Sequence, residues 1–137
     1  STLFPYTTLF RSTNRSMKLN PDCLRAVLLA YEALPAINRQ IGLPIDGFSE
    51  EEIFYHQQLL EDAGFIRLQW GATGDDPYRV YPHRLTYAGH EFLNASRNNQ
   101  AWDAVKKAMA QTGGFVVELA KPILLELLTN RIHELLK

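Results

Sequence analysis

The side chains with the greatest chemical reach in this chain are four histidines, one cysteine and one adjacent pair of aspartates. His56, His83, His90 and His133 form no H-x-x-x-H pair, and none sits with cysteines at zinc-ligand spacing. His90-Glu91 lacks the second histidine with which a zincin helix holds its metal. Cys23 is the single cysteine, which excludes an internal disulfide framework and a cysteine-rich zinc site. It falls inside an apolar helical pattern and reads as a small core residue rather than a reactive thiol. His56 reads as a half-buried helix residue hydrogen-bonded to the strands that follow it. Gly71-Ala72-Thr73-Gly74 matches neither a P-loop nor G-x-G-x-x-G and fits the tip of a turn, with Asp75-Asp76 in the same turn. No Ser-His-Asp arrangement stands out. The expectation is a protein without catalytic residues, metal or cofactor.

The elements that would position these side chains follow from periodicity. Asn20-Pro21-Asp22 opens a helix: Asn caps, Pro suits the first position, and Asp faces the positive end of the dipole. Leu24, Val27, Leu28, Tyr31 and Leu34 form its apolar stripe, and Pro35 ends it. Ala36 to Phe48 is apolar but interrupted by Gly42, Pro44 and Gly47, and reads as a short helical turn and then a loop or short strand. Ser49 with Glu52 forms a capping box, and Gly64 sits where a helix needs a left-handed residue to stop. Between them, Ile53, His56, Leu60 and Ala63 mark the buried face. Phe65 to Trp70 reads as a strand, and Tyr78 to Tyr81 as its returning partner. Leu85-Thr86 starts the next helix with Thr86 as cap. Phe92 and Leu93 anchor it, and Gly89 allows close approach. A helix from Ala101 to Gln111 carries Trp102, Val105 and Met109. Thr112-Gly113-Gly114 breaks it, and Phe115 to Leu136 forms a last helix dense in Leu and Ile.

Composition bounds the class. At 137 residues, 46% hydrophobic and 21% charged, the chain suits one globular, cytoplasmic domain. Its first sixteen residues look foreign. Pro5 to Ser12, PYTTLFRS, resembles translated sequencing-adaptor sequence, so residues 1–16 read as a disordered, non-native tail and Met17 as the native start. That tail carries Arg11 and Arg15 and no acid. Without it, the net charge falls from −1 to −3, the wrong sign for a generic nucleic-acid binder.

The run Tyr55-His56-Gln57-Gln58-Leu59-Leu60-Glu61-Asp62-Ala63-Gly64-Phe65-Ile66 resembles the recognition helix and wing of winged-helix regulators. Met17 to Asp22, the run Leu85-Thr86-Tyr87-Ala88-Gly89-His90-Glu91-Phe92-Leu93 and Trp102 narrow the likeness. Together they look like the bacterial and phage family known as domain of unknown function 2513, or YjcQ-like. The resemblance covers Met17 to about Lys107. It implies a winged-helix fold, and with the elements above the expectation is an α+β, mostly helical chain: a winged helix-turn-helix-like domain with a two-stranded wing over residues 17–100 and a C-terminal helical extension over residues 101–137. It implies no catalytic residues.

Two kinds of partner follow. A winged helix implies DNA, with Gln57 and Gln58 reading adenine edges and Arg67, Arg79 and Arg84 on or near the wing meeting phosphates. Against this, the helix after Ser49 holds five acids, Glu50, Glu51, Glu52, Glu61 and Asp62, and no Lys or Arg, so phosphates would repel it. The other partner is protein. Leu125, Leu128, Ile132 and Leu135 make a 3-4-3 seam on the last helix, suited to self-association as a dimer, and Phe54 and Tyr55 suit a contact surface. Charges interrupt that helix too often for a membrane span.

Overall fold

The computed structural model describes residues 17–71 and 80–137. The expectations for residues 1–16, for the Gly74 turn with Asp75-Asp76, and for Tyr78 and Arg79 fall outside them. Among the described residues there are five helices and a two-stranded antiparallel sheet: α1 (Pro21–Glu32), α2 (Glu50–Asp62), β1 (Ile66–Trp70), β2 (Val80–Leu85), α3 (Tyr87–Ala95), α4 (Asn99–Gln111) and α5 (Val117–Leu135). The fold is α+β and mostly helical. The chain groups into two compact units, one up to Thr86 and one from Tyr87 onward.

In the first unit, α1 starts as its sequence requires. The Asn20 side chain accepts from the backbone N–H groups of Asp22 and Cys23, two donors that a helix start leaves unpaired. Cys23, Leu24, Val27, Leu28 and Tyr31 are buried. Ser49 caps α2 by accepting from the Glu52 N–H at 3.1 Å. The end of α2 is a Schellman turn: Phe65 N–H donates to the Leu60 carbonyl, Gly64 N–H donates to that of Glu61, and Gly64 has φ +81°. Thr86, just past the end of β2, closes the same turn. Its N–H donates to the Phe65 carbonyl and its hydroxyl to that of Gly64.

Three details differ from the sequence reading. Residues 36–48 form no helical turn. Instead the segment is tied along the outer edge of β2, with Gly42 N–H donating to the Val80 carbonyl at 3.1 Å and the Asn38 amide to that of Pro82 at 2.8 Å. β2 runs to Leu85, past the expected Tyr81, because its pairing with β1 continues through Arg84 and Leu85. Ala63 is exposed at the end of α2 rather than part of its buried face.

In the second unit, Asn98 caps α4 by accepting from Ala101 N–H at 2.9 Å. Phe92, Leu93, Trp102, Val105 and Met109 are buried as expected, together with Ala120 and Leu124 of α5. Trp102 is the centre of an aromatic cluster, with ring centroids 6.3 Å from Phe92 and 5.4 Å from Phe115 in edge-on contact.

A side chain built on Gly64 would meet nothing within 4 Å, so only the backbone conformation resists substitution there. Gly64→Ala is expected to lower unfolding stability by about 1 kcal/mol, and Gly64→Asn by less, since Asn tolerates the left-handed region. Denaturant melts of the two variants check this.

Candidate functional site

The outward face of α2 is not the one its sequence led one to expect. Gln57 is 2% exposed. Its Oε1 accepts from the Tyr31 hydroxyl at 2.7 Å, in a buried bond between α2 and α1. Burial, and after it the charge of Glu61, raise the Tyr31 pKa well above the ordinary phenol range, so the hydroxyl keeps its proton and remains a donor. Gln57 is therefore withdrawn from any role as a base reader. Gln58 is half-buried. The exposed positions at the ends of α2 are acidic, Glu50 and Asp62.

His56 is also fully inside, 1% exposed, and its partners are not on the strands. Its Nε2 accepts from the Asn20 N–H at 2.8 Å, which leaves Nδ1 to donate to the Glu52 carbonyl at 2.8 Å. Both ring nitrogens are thus occupied in joining the start of α1 to α2, as a structural histidine would be. Glu52 itself accepts from the Asn20 side-chain amide at 3.3 Å. Cys23 lies beside this junction, its Sγ 3.9 Å from the Glu52 carbonyl. Burial, then the Glu52 charge, push its thiol up to about 12, which leaves negligible thiolate at neutral pH.

The strand pair holds the positive charge. Arg67 and Arg84 are cross-strand partners and both are exposed. Each donates to a neighbouring carbonyl, Arg67 to Ile66 and Arg84 to Leu85, and neither makes an ion pair among the described residues. Glu61 is engaged elsewhere: its Oε2 accepts the Leu68 N–H at 2.8 Å, next to the irregularity in strand register between Arg67 and Leu68. Arg79 lies outside the described residues.

On α5 the expected seam divides. Leu125 and Leu128 are half-buried, whereas Ile132 and Leu135 are exposed. Leu119, Ile123 and Leu127 are exposed as well, a second apolar stripe that the sequence reading passed over. Its signal was present in the 4-residue spacing, but the denser Leu125–Leu135 pattern masked it. A pocket was also missed. It lies between the Gln40–Phe48 segment and α2 and is lined by Leu43, Ile53, Phe54 and Gln57, with Asp46 and Glu50. The apolar residues of a loop broken by glycine and proline were the clue to it. Phe54 in turn meets Trp70 of β1 edge-on at 5.8 Å. Among the described residues, no group of three or more His, Cys, Asp or Glu side chains could hold a metal ion, and no helix is long and apolar enough to cross a membrane.

Residues 18–115 match the family described as Hypothetical protein (DUF2513), and the chain belongs to that family. It is similar to an uncharacterized protein of Haemophilus influenzae, 32% identical over 93 residues, which covers 66% of this chain and 76% of the relative. No solved structure matches.

The Cys23 environment has a direct consequence. In the native protein at pH 8, Cys23 is expected to resist Ellman's reagent, and in denaturant it is expected to react fully. Rapid labelling of the folded protein would show that the thiol is not held as described.

Proposed function

We propose that this chain is a non-enzymatic, winged-helix-type binding protein that works by protein contact and pairs with a second copy of itself along α5. The winged-helix reading is supported by the order of α1, α2, a glycine stop and an antiparallel strand pair, and by the resemblance of the Tyr55 to Ile66 run to a recognition helix and wing. The self-association reading is carried by the distribution of apolar side chains on α5. Ala120 and Leu124 are buried, but Leu119 is 59% and Leu135 74% exposed, with Ile123, Leu127 and Ile132 also exposed. So wide an apolar sector exceeds the single stripe that packing on one neighbour needs. The Leu125–Leu128–Ile132–Leu135 seam supplies the alternating spacing of a helix pair. Charge favours a like partner: Glu118, Glu126 and Glu134 are balanced by Lys121, Arg131 and Lys137, so the helix selects neither a strongly acidic nor a strongly basic surface.

Sedimentation is expected to give a dimer for the parent and a monomer for Leu128→Asp, with unchanged helical content by circular dichroism. A monomeric parent, or a variant that stays dimeric, removes the proposal.

A second reading has its own observation, the facing arginines of the strand pair. Directly opposed like charges destabilise a sheet, and at a cross-strand Cα separation of about 5 Å the two guanidinium groups suit a single phosphate or adjacent ones. On this reading DNA is met through the strand pair and not through α2. Selection from random DNA at two salt concentrations is its test. Salt-sensitive binding that loses about two phosphate contacts from its salt slope in Arg67→Ala/Arg84→Ala supports it; the absence of salt-sensitive binding ends it.

A further inference from the structure

The pocket beside α2 combines features that the fold alone does not need. Its volume is about 500 Å³, within the usual range for small-molecule sites. The inner wall is made by Leu43, Ile53, Val80 and Gln57, all buried, with Phe54 beside them. Gln57 is the polar member of that wall. Tyr31 occupies its Oε1, while its Nε2 has no hydrogen-bond partner among the described residues. Although the Gln57 side chain as a whole is buried, this nitrogen is not sealed off and keeps access to the pocket, so an acceptor that enters there can take the donor. Asp46 and Glu50 stand exposed at the mouth, and among the described residues no basic side chain lines the pocket and neither acid makes an ion pair.

We propose that this pocket binds a small organic cation with an apolar, preferably aromatic, body and a carbonyl-type acceptor at the end away from its charge. The acceptor takes the Gln57 Nε2 donor, the body packs on Ile53 and Phe54, and the ammonium group sits between Asp46 and Glu50. Each part of the ligand answers one feature of the wall. The donor excludes a purely hydrocarbon ligand, because displacing water from it without replacing the bond loses affinity. The acids exclude a carboxylate at the mouth. The loop wall is held by the Gly42–Val80 and Asn38–Pro82 bonds, so the cavity is formed before any ligand arrives. This proposal does not rest on pairing through α5.

Three probes built on one benzene ring separate the contributions: 4-acetylbenzylamine, benzylamine without the acceptor, and 4-acetylbenzoate with the opposite charge. Titration is followed by ¹⁵N–¹H correlation spectra, in which the Gln57 side-chain amide and the Trp70 indole N–H report on the pocket wall and on the ring that backs Phe54. 4-Acetylbenzylamine is expected to bind with a dissociation constant of about 1 mM or tighter, as its size allows. Benzylamine is expected to be weaker by about fivefold and 4-acetylbenzoate by about tenfold or more. In Gln57→Leu the two amines should bind alike. In Asp46→Asn/Glu50→Gln, a surface change that leaves the core untouched, the preference for cation over anion should collapse, and this variant carries the test if Gln57→Leu does not fold. No saturable shift of the Gln57 amide with 4-acetylbenzylamine, equal binding of all three probes to the parent, or retained preferences in the variants would overturn the proposal.

Discussion

The first unit depends on how one imidazole is placed. His56 has both nitrogens committed, Nε2 to the Asn20 N–H and Nδ1 to the Glu52 carbonyl, and it is shut away from water. Losing the ring would leave buried backbone groups unpaired at about 1–3 kcal/mol each. The bond also reaches the residue that caps α1, so the start of one helix and the face of the next are fixed together. Further along, Tyr31 and Gln57 form a second polar tie between the same two helices. Two such ties set the rotation of α2 about its axis more sharply than apolar packing alone, because hydrogen bonds are directional and Leu or Ile contacts are not.

That rotation decides what α2 can offer a partner. It turns Gln57 inward together with Ile53, His56 and Leu60, and leaves acidic positions outward. A helix presented in this way repels a phosphate backbone. Positive charge is displaced to the strand pair, where Arg67 and Arg84 face one another, while Glu61 of α2 is engaged with the Leu68 N–H. The inward side of α2 is thus partly a joint to α1, through His56 and Gln57, and partly a wall of the pocket, through Ile53 and Gln57.

Much of the fold was legible because its signals are local. Asn20, Ser49 and Asn98 cap helices through side chains within three residues of the donors they satisfy. Gly64 takes a backbone conformation that glycine adopts at little cost. The apolar stripes of α1 and α4 needed only a period of 3.6 residues. The candidate sites were less legible. Gln57 and Gln58 are adjacent and alike in type, yet one is buried and bonded to a residue 26 positions away, and the other is only half-buried.

By itself, then, the sequence determined where the helix from Ser49 begins, where Gly64 stops it and that a strand follows, since caps, stop and alternation act over a few residues. It also determined the family and the acidic character of that helix. Only the tertiary structure decided that Gln57 joins Ile53, His56 and Leu60 on the buried side of the helix, that the 40–48 segment walls a pocket against it, and that two arginines meet across the sheet. Those outcomes depend on contacts between residues far apart in the chain, and no local pattern of side-chain types encodes the phase at which two elements meet.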